Sequence, residues 1–238
     1  MICFLTGTTG LPNEGGLNPA NHFVDELHKH FPSPCRALFI CSDPDGWEET
    51  DFYTNATKVE FEQAGFPIAS IGSLDSRNEE QASVLVQESN FLLLAGGHLP
   101  TQNRFFQKIG LRDLLKDYHG IIIGVSAGSM NSAEIVYAMP EEEGEAIDPT
   151  YQRFMAGLSL TKTNLLPHYQ DNKDDILDGL RIYEDIACPD SMGKTFYAIP
   201  DGSYLFIDGC KEELRGEAYM VRDGFIRQIS AHGEVVSL

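Results

Sequence analysis

The sequence predicts an α/β fold: a three-layer sandwich whose mainly parallel sheet carries helices on both faces and gains C-terminal antiparallel hairpins along one edge. Three observations point to it. Short apolar runs alternate with amphipathic segments through the N-terminal half, the runs are too short to be buried helices, and beyond Pro140 the pattern changes to β-rich pieces separated by Asp-Gly turn signals. A chain of 238 residues buries one sizeable core, so a single domain spanning 1–238 is expected.

The elements follow in order. Residues 2–6, 36–41, 68–71, 91–95 and 120–125 are continuous apolar runs that read as strands buried on both faces. Phe23, Leu27 and Phe31 recur at helical spacing after the Asn18-Pro19 start signal. Phe105 and Ile109, followed by Leu114, Leu115 and Tyr118, mark another helix. Glu141-Glu142-Glu143-Gly144-Glu145 reads as a solvated loop. Residues 196–199, 204–207 and 218–221 read as hairpin strands, with turns at Pro200-Asp201-Gly202, Asp208-Gly209 and Asp223-Gly224. An apolar edge among these hairpins would allow a homodimer, although hairpins more often complete their own sheet.

Charge narrows the choice of partner. A formal net charge of −19 repels phosphate backbones and anionic lipid, so neither nucleic acid nor a membrane surface is expected. The five cysteines lack any C-x-x-C spacing and their odd number gives no disulfide framework, as for reduced thiols in the cytoplasm. Met1 leads straight into Ile2-Cys3-Phe4 without a basic leader pattern, and no apolar run approaches the ~20 residues of a membrane span. No His/Cys cluster has metal-ligand spacing and no Walker lysine or dinucleotide fingerprint follows a strand, so neither metal nor organic cofactor is expected.

The chemistry-bearing motif is Gly124-Val125-Ser126-Ala127-Gly128-Ser129, a G-x-S-x-G sequence directly after Ile121-Ile122-Ile123. A strand that breaks sharply into a helix holds its serine on a strained turn with the hydroxyl projecting clear of the sheet, which makes Ser126 the candidate nucleophile. Its base should be a histidine at another strand end. His22, His28, His30, His119 and His232 read as surface residues. His98, after the double glycine, and His168, after the β-compatible stretch 158–163 with Pro167 fixing the approach, remain, and His168 is favoured. The oxyanion of acyl attack needs two N–H donors: Ala127, after the nucleophile, and Gly97, where Gly96 lets the backbone come close.

Ala95-Gly96-Gly97, the helix beginning near Thr101-Gln102, Gly124 to Ser129, Met139-Pro140 and Pro167-His168-Tyr169 together resemble the peptidase E family of serine peptidases, the aspartyl dipeptidases, with cyanophycinases as more distant relatives. The resemblance runs from the first strand through the C-terminal hairpins. It implies a class I glutamine amidotransferase-like fold, Ser126 as nucleophile, His168 as charge-relay histidine, and hydrolysis of dipeptides with an N-terminal aspartate. Two departures stand out. The family's aspartate before Met-Pro is Ala138 here, so the third triad member must come from elsewhere, with Glu134, Glu141, Glu142 and Asp171 as the candidates. The family's Gly-Glu-Thr-Arg segment is replaced by Asp178-Gly179-Leu180-Arg181, which leaves Arg181 or Arg104 to bind a substrate aspartate. Another serine amidohydrolase activity, cyanophycinase-like, or a non-catalytic small-molecule binding protein of the same fold are the alternative readings.

Overall fold

The computed structural model describes residues 1–11 and 16–238. Its strands are β1 (Ile2–Thr6), β2 (Cys35–Ile40), β3 (Ile68–Leu74), β4 (Phe91–Leu94), β5 (Ile121–Val125), β6 (Ile135–Tyr137), β7 (Phe154–Ala156), β8 (Asn164–Leu166), β9 (Ile176–Leu177), β10 (Leu180–Arg181), β11 (Thr195–Ala198), β12 (Tyr204–Asp208), β13 (Lys211–Arg215), β14 (Ala218–Arg222), β15 (Phe225–Ser230) and β16 (Val235–Ser237). The helices are α1 (Phe23–His30), α2 (Trp47–Gln63), α3 (Ala82–Glu88), α4 (Leu99–Lys108), α5 (Leu111–Leu114), α6 (Ala127–Met130), α7 (Tyr169–Asn172) and α8 (Cys188–Asp190).

The main sheet has the order β16-β13-β12-β1-β5-β4-β2-β3. Its five N-terminal strands run parallel, and β12 joins β1 antiparallel. Alternation along each strand feeds two cores. Phe91, Leu93, Ile121 and Ile123 face one side with Phe23 and Leu27 of α1 and Phe61 of α2. Leu92, Leu94 and Ile122 face the other with Val86 of α3, Phe105 and Phe106 of α4 and Leu111 of α5. Helices therefore cover both faces, as the alternating pattern requires. Helix α1 is also tied to the antiparallel edge by Arg215 of β13, whose Nη1 lies 2.9 Å from Glu26 Oε2. Partial burial works against the Glu26 carboxylate, but bonds from Lys29, Arg215 and His30 hold its pKa at about 2.

Three expectations are corrected. The C-terminal strands do not all extend one edge: β12, β13 and β16 do, whereas β11, β14 and β15 join β8 in a second, four-stranded sheet. Pro200-Asp201-Gly202 is consequently a crossing between sheets and not a hairpin turn, since the strands on either side of it do not pair. The helix after Ser126 is a single turn, because the chain bends away after Met130 to bond β-like partners: Glu134 N donates to Thr161 O and Leu158 N to Asn131 O, each at 2.8 Å.

The first turn of α6 packs directly on β4. A Cβ at Gly128 would run into the O, C and Cβ of Leu94, with no flexible side-chain end to give way. Gly128→Ala is expected to destabilise the protein by about 2–3 kcal/mol, the range for overpacking a rigid site. Urea unfolding would measure this, and a midpoint unchanged from the parent would refute the packing assignment.

Candidate active site

Strand ends converge here from both sheets. In the main sheet β5 lies between β1 and β4, with Val125 opposite Thr6 and Gly124 opposite Leu94. Ser126 continues the ladder by donating its N–H to Thr6 O at 2.9 Å, then turns with φ 48° and ψ −112°. A residue with a Cβ is strained in that region by on the order of 1–3 kcal/mol, and such strain persists only where surrounding structure enforces it. The hydroxyl of Ser129 helps by bonding Thr6 O at 2.8 Å and Gly124 O at 2.7 Å.

The loop after β4 lies against Ser126. A Cβ on Gly96 would sit 3.3 Å from Ser126 Cβ, and Gly97 has φ 146° with Ser42 filling the space a side chain would need. Among the described residues, the N–H groups of Gly97 and Ala127 donate to no protein acceptor. Buried amides, which read in the sequence only as polar helix positions, brace this loop. Gln102 Nε2 donates to Ala95 O at 2.7 Å, Asn131 Nδ2 to Gln102 Oε1 at 3.0 Å, and Asn103 Nδ2 to Asn131 Oδ1 at 2.8 Å.

The second sheet contributes the histidine. Strands β8 and β11 run parallel with Leu166 opposite Ala198, so the residues that follow them emerge side by side. Ile199 N donates to Leu166 O at 2.9 Å and Tyr169 N to Ile199 O at 3.2 Å, which fastens the two strand ends together. His168 then takes a left-handed backbone, φ 59° and ψ 32°, and its Nδ1 lies 2.9 Å from Asp201 Oδ1. The approach is close but off the N–H axis: this buried oxygen has no aligned hydrogen-bond donor. It still raises the His168 pKa above the ordinary histidine value, outweighing the burial that opposes it. Gly7, just past β1, makes the pair possible, since a Cβ there would collide with Asp201 Oδ1 and lie 3.3 Å from the imidazole.

The carboxylate at Nδ1 is therefore neither Glu134 nor Glu141, the residues expected from sequence. Glu134 is drawn aside by its backbone bonds to Thr161 and Gly157. Glu142 has its N–H on Glu145, and Asp171 accepts from Gln170. Glu141 does reach the site, where it lines one pocket with Ser126 and His168. Solvent touches the residue, yet protein crowds its carboxyl enough that desolvation lifts the pKa to about 7, with Glu145 adding to the effect and His98 and His168 opposing it.

The acidic run is accordingly not simply a solvated loop. Glu145 folds back to accept the N–H groups of Glu141 and Glu142 at 2.9 and 3.0 Å, and it meets His98 Nε2 at 2.9 Å. Burial works against its ionisation, but these donors hold its pKa below the usual carboxylate value. His98 is thereby spoken for on both ring nitrogens, since Nδ1 lies 2.8 Å from Thr101 Oγ1. Burial pushes the Cys3, Cys35 and Cys41 thiols up to about 12, which disfavours their thiolate forms.

The pocket shared by Ser126 and His168 has a volume of about 230 Å³. A larger groove of about 670 Å³ lies at the opposite ends of the strands, around Ile2, Asn90 and Gly120, far from this chemistry. The model of peptidase family S51 matches residues 3–215. This chain belongs to peptidase family S51. It is a serine-type peptidase, and the fold agrees. The S51 chain superposes on a peptidase from an acI-B1 Actinobacterium with a TM-score of 0.65 at 16% identity, covering 100% of this chain and 96% of that one. It superposes on a candidate peptidase E protein from Listeria monocytogenes EGD-e with a TM-score of 0.60 at 17% identity, covering 96% and 98%. No curated protein matches it. Among the described residues, no helix of this S51 peptidase is long and apolar enough to cross a membrane.

Two outcomes test the histidine pair. A base with a raised pKa loses its proton later, so the acid limb of kcat/KM should have its midpoint above the unperturbed histidine value of about 6.5. Asp201→Asn should move that limb to lower pH and reduce kcat on the order of 10³-fold, as when a triad loses its orienting carboxylate. An unshifted limb with undiminished kcat would exclude Asp201 from the role. Gly7→Ala, which leaves every polar group in place but drives Asp201 off the imidazole, should reproduce the fall in kcat while circular dichroism stays that of the parent.

Proposed function

We propose that this S51 peptidase hydrolyses short peptides by acyl transfer, with Ser126 as nucleophile, His168 as general base, Asp201 as the carboxylate that orients it, and the N–H groups of Gly97 and Ala127 as the oxyanion hole. The observation that carries the reading is that the strained serine and the His168–Asp201 pair border one pocket. His168 Nε2 has no protein partner among the described residues, so it is available to the hydroxyl while Asp201 occupies the Nδ1 side.

The steps follow from that arrangement. His168 takes the proton of Ser126 as Oγ attacks the peptide carbonyl, and the developing oxyanion meets the two unpaired N–H groups. The proton returns to the departing amine, the amide bond breaks, and an acyl-enzyme remains on Ser126. Water, deprotonated by the same histidine, then displaces the acyl group and restores the hydroxyl. Asp201 stabilises the imidazolium in both halves. A pocket of about 230 Å³ holds one side chain and little more, which favours short substrates over folded protein.

Support for an N-terminal aspartate is weaker. Arg181 is exposed and its guanidinium is paired with Asp185 at 2.8 to 2.9 Å, Arg104 bonds Thr101, and neither lines the pocket. The non-catalytic alternative drew its support from a missing carboxylate, and Asp201 beside His168 argues against it.

A fluorophosphonate probe is expected to label Ser126 in the native protein, and Ser126→Ala should abolish both labelling and hydrolysis across a dipeptide panel. Hydrolysis that persists in Ser126→Ala would sink the proposal.

A further inference from the structure

The lining of the pocket bears on which peptide enters it. Its walls include Met130, Met139, Leu166 and Ile182, all buried among the apolar residues beneath the site. Two carboxylates, Glu141 and Asp175, complete the lining on its exposed side. Neither has a lysine, arginine or histidine within ion-pair distance among the described residues, and no lysine or arginine borders the pocket. Arg181 is paired with Asp185, and Arg153 bonds Ala146 O and lies over the Tyr151 ring, and neither borders the pocket.

Apolar walls that end in carboxylates suit a ligand that is aliphatic along its stem and positive at its tip, because the stem replaces water on the methionine, leucine and isoleucine surfaces while the charge stays near solvent. An aspartate side chain would instead bring a third carboxylate beside two others with no lysine or arginine in the lining to offset it. Resting on the assignment of Ser126 as nucleophile, we propose that Glu141 and Asp175 make this a pocket for a basic side chain, so that the enzyme prefers peptides with lysine or arginine on the acyl side of the scissile bond.

Two further observations agree. Desolvation raises the Glu141 pKa to about 7, and the carboxylate has no ion-pair partner among the described residues, so a bound ammonium or guanidinium would supply a charge it lacks. The chain as a whole carries a formal charge of −19, a field that concentrates cationic peptides near its clefts and disperses anionic ones.

The test compares lysyl, norleucyl and aspartyl p-nitroanilides on the intact protein. Norleucine keeps the aliphatic stem and removes only the charge. The lysyl substrate should exceed the norleucyl one in kcat/KM by about tenfold or more, and the aspartyl substrate should be the poorest, since a charge contact made or lost in a partly desolvated pocket changes rates on that scale. Glu141→Gln and Asp175→Asn should each shrink the lysyl-to-norleucyl ratio, chiefly through KM. Should a variant fail to fold, the ratio in the parent protein still decides. Equal rates on lysine and norleucine would overturn the proposal, and so would equal rates that vanish on N-acetylation, which would assign the carboxylates to the α-ammonium. A ratio unmoved by both substitutions would overturn it as well. Failure of the underlying reading has its own signature, no labelling of Ser126 by fluorophosphonate, whereas labelling together with norleucyl turnover and no lysine preference rejects the specificity alone.

Discussion

The turn at Ser126 governs the geometry around it. A serine with φ 48° and ψ −112° would relax if the chain on either side could shift, and neither side can. Upstream, β5 is hydrogen-bonded on both edges in parallel register, so slipping by one residue would reverse every side chain of the Ile121 to Ile123 run between two filled cores. Downstream, α6 lies so close to β4 that Gly128 touches the Leu94 backbone, while a Cβ at Gly124 would lie 2.9 Å from Leu5 Cδ2 and from Ser129 N. Packing thus holds a conformation that local preference disfavours.

The polar groups behind this turn are organised with equal economy. Gln102, Asn103 and Asn131 are buried, and each would be costly to leave unsatisfied. They satisfy one another and the carbonyl of Ala95, which fixes the loop carrying Gly97 relative to the short helix carrying Ala127. Two N–H groups on separate elements can point at one oxyanion only if those elements do not move against each other, and an amide network in a dry interior meets that requirement.

Much of this was legible in the chain itself. Four of the five parallel strands were set by apolar runs, since strands covered on both faces tolerate such runs, whereas β3 at the sheet edge is largely exposed; the observed ends fall within a residue or a few of the expected ones. That Ser126 and His168 would meet at strand ends beside Gly97 and Ala127 was legible because small residues and a proline at strand ends leave a local signature. Asp201 was not. Asp-Gly between two β-rich pieces has the chemistry of a hairpin turn, and only the assignment of β11 and β12 to different sheets turns it into a loop over the site. Glu145 was hidden for a related reason, since a run of four glutamates reads as solvated until one of them is found folded back onto its neighbours' N–H groups. Gln102 and Asn131 gave no signal because a polar residue in a helical pattern is ordinarily assigned to the outer face.

The division of labour between the sheets has a bearing on the life of the chain. Ser126 and the free N–H groups of Gly97 and Ala127 hang from the first sheet, the His168 imidazole and the Asp201 carboxylate from the second, and the two meet where Leu165 and Ile199 share one apolar cluster with Leu5 and Leu205. The segments that supply the second set are also the later ones in sequence. The first sheet is itself closed only by β12, β13 and β16, which follow His168 and Asp201 in the chain. The chain thereby carries its own safety catch: the serine, the imidazole and the carboxylate come together only with completed tertiary assembly, and any event that parts the sheets takes the site apart.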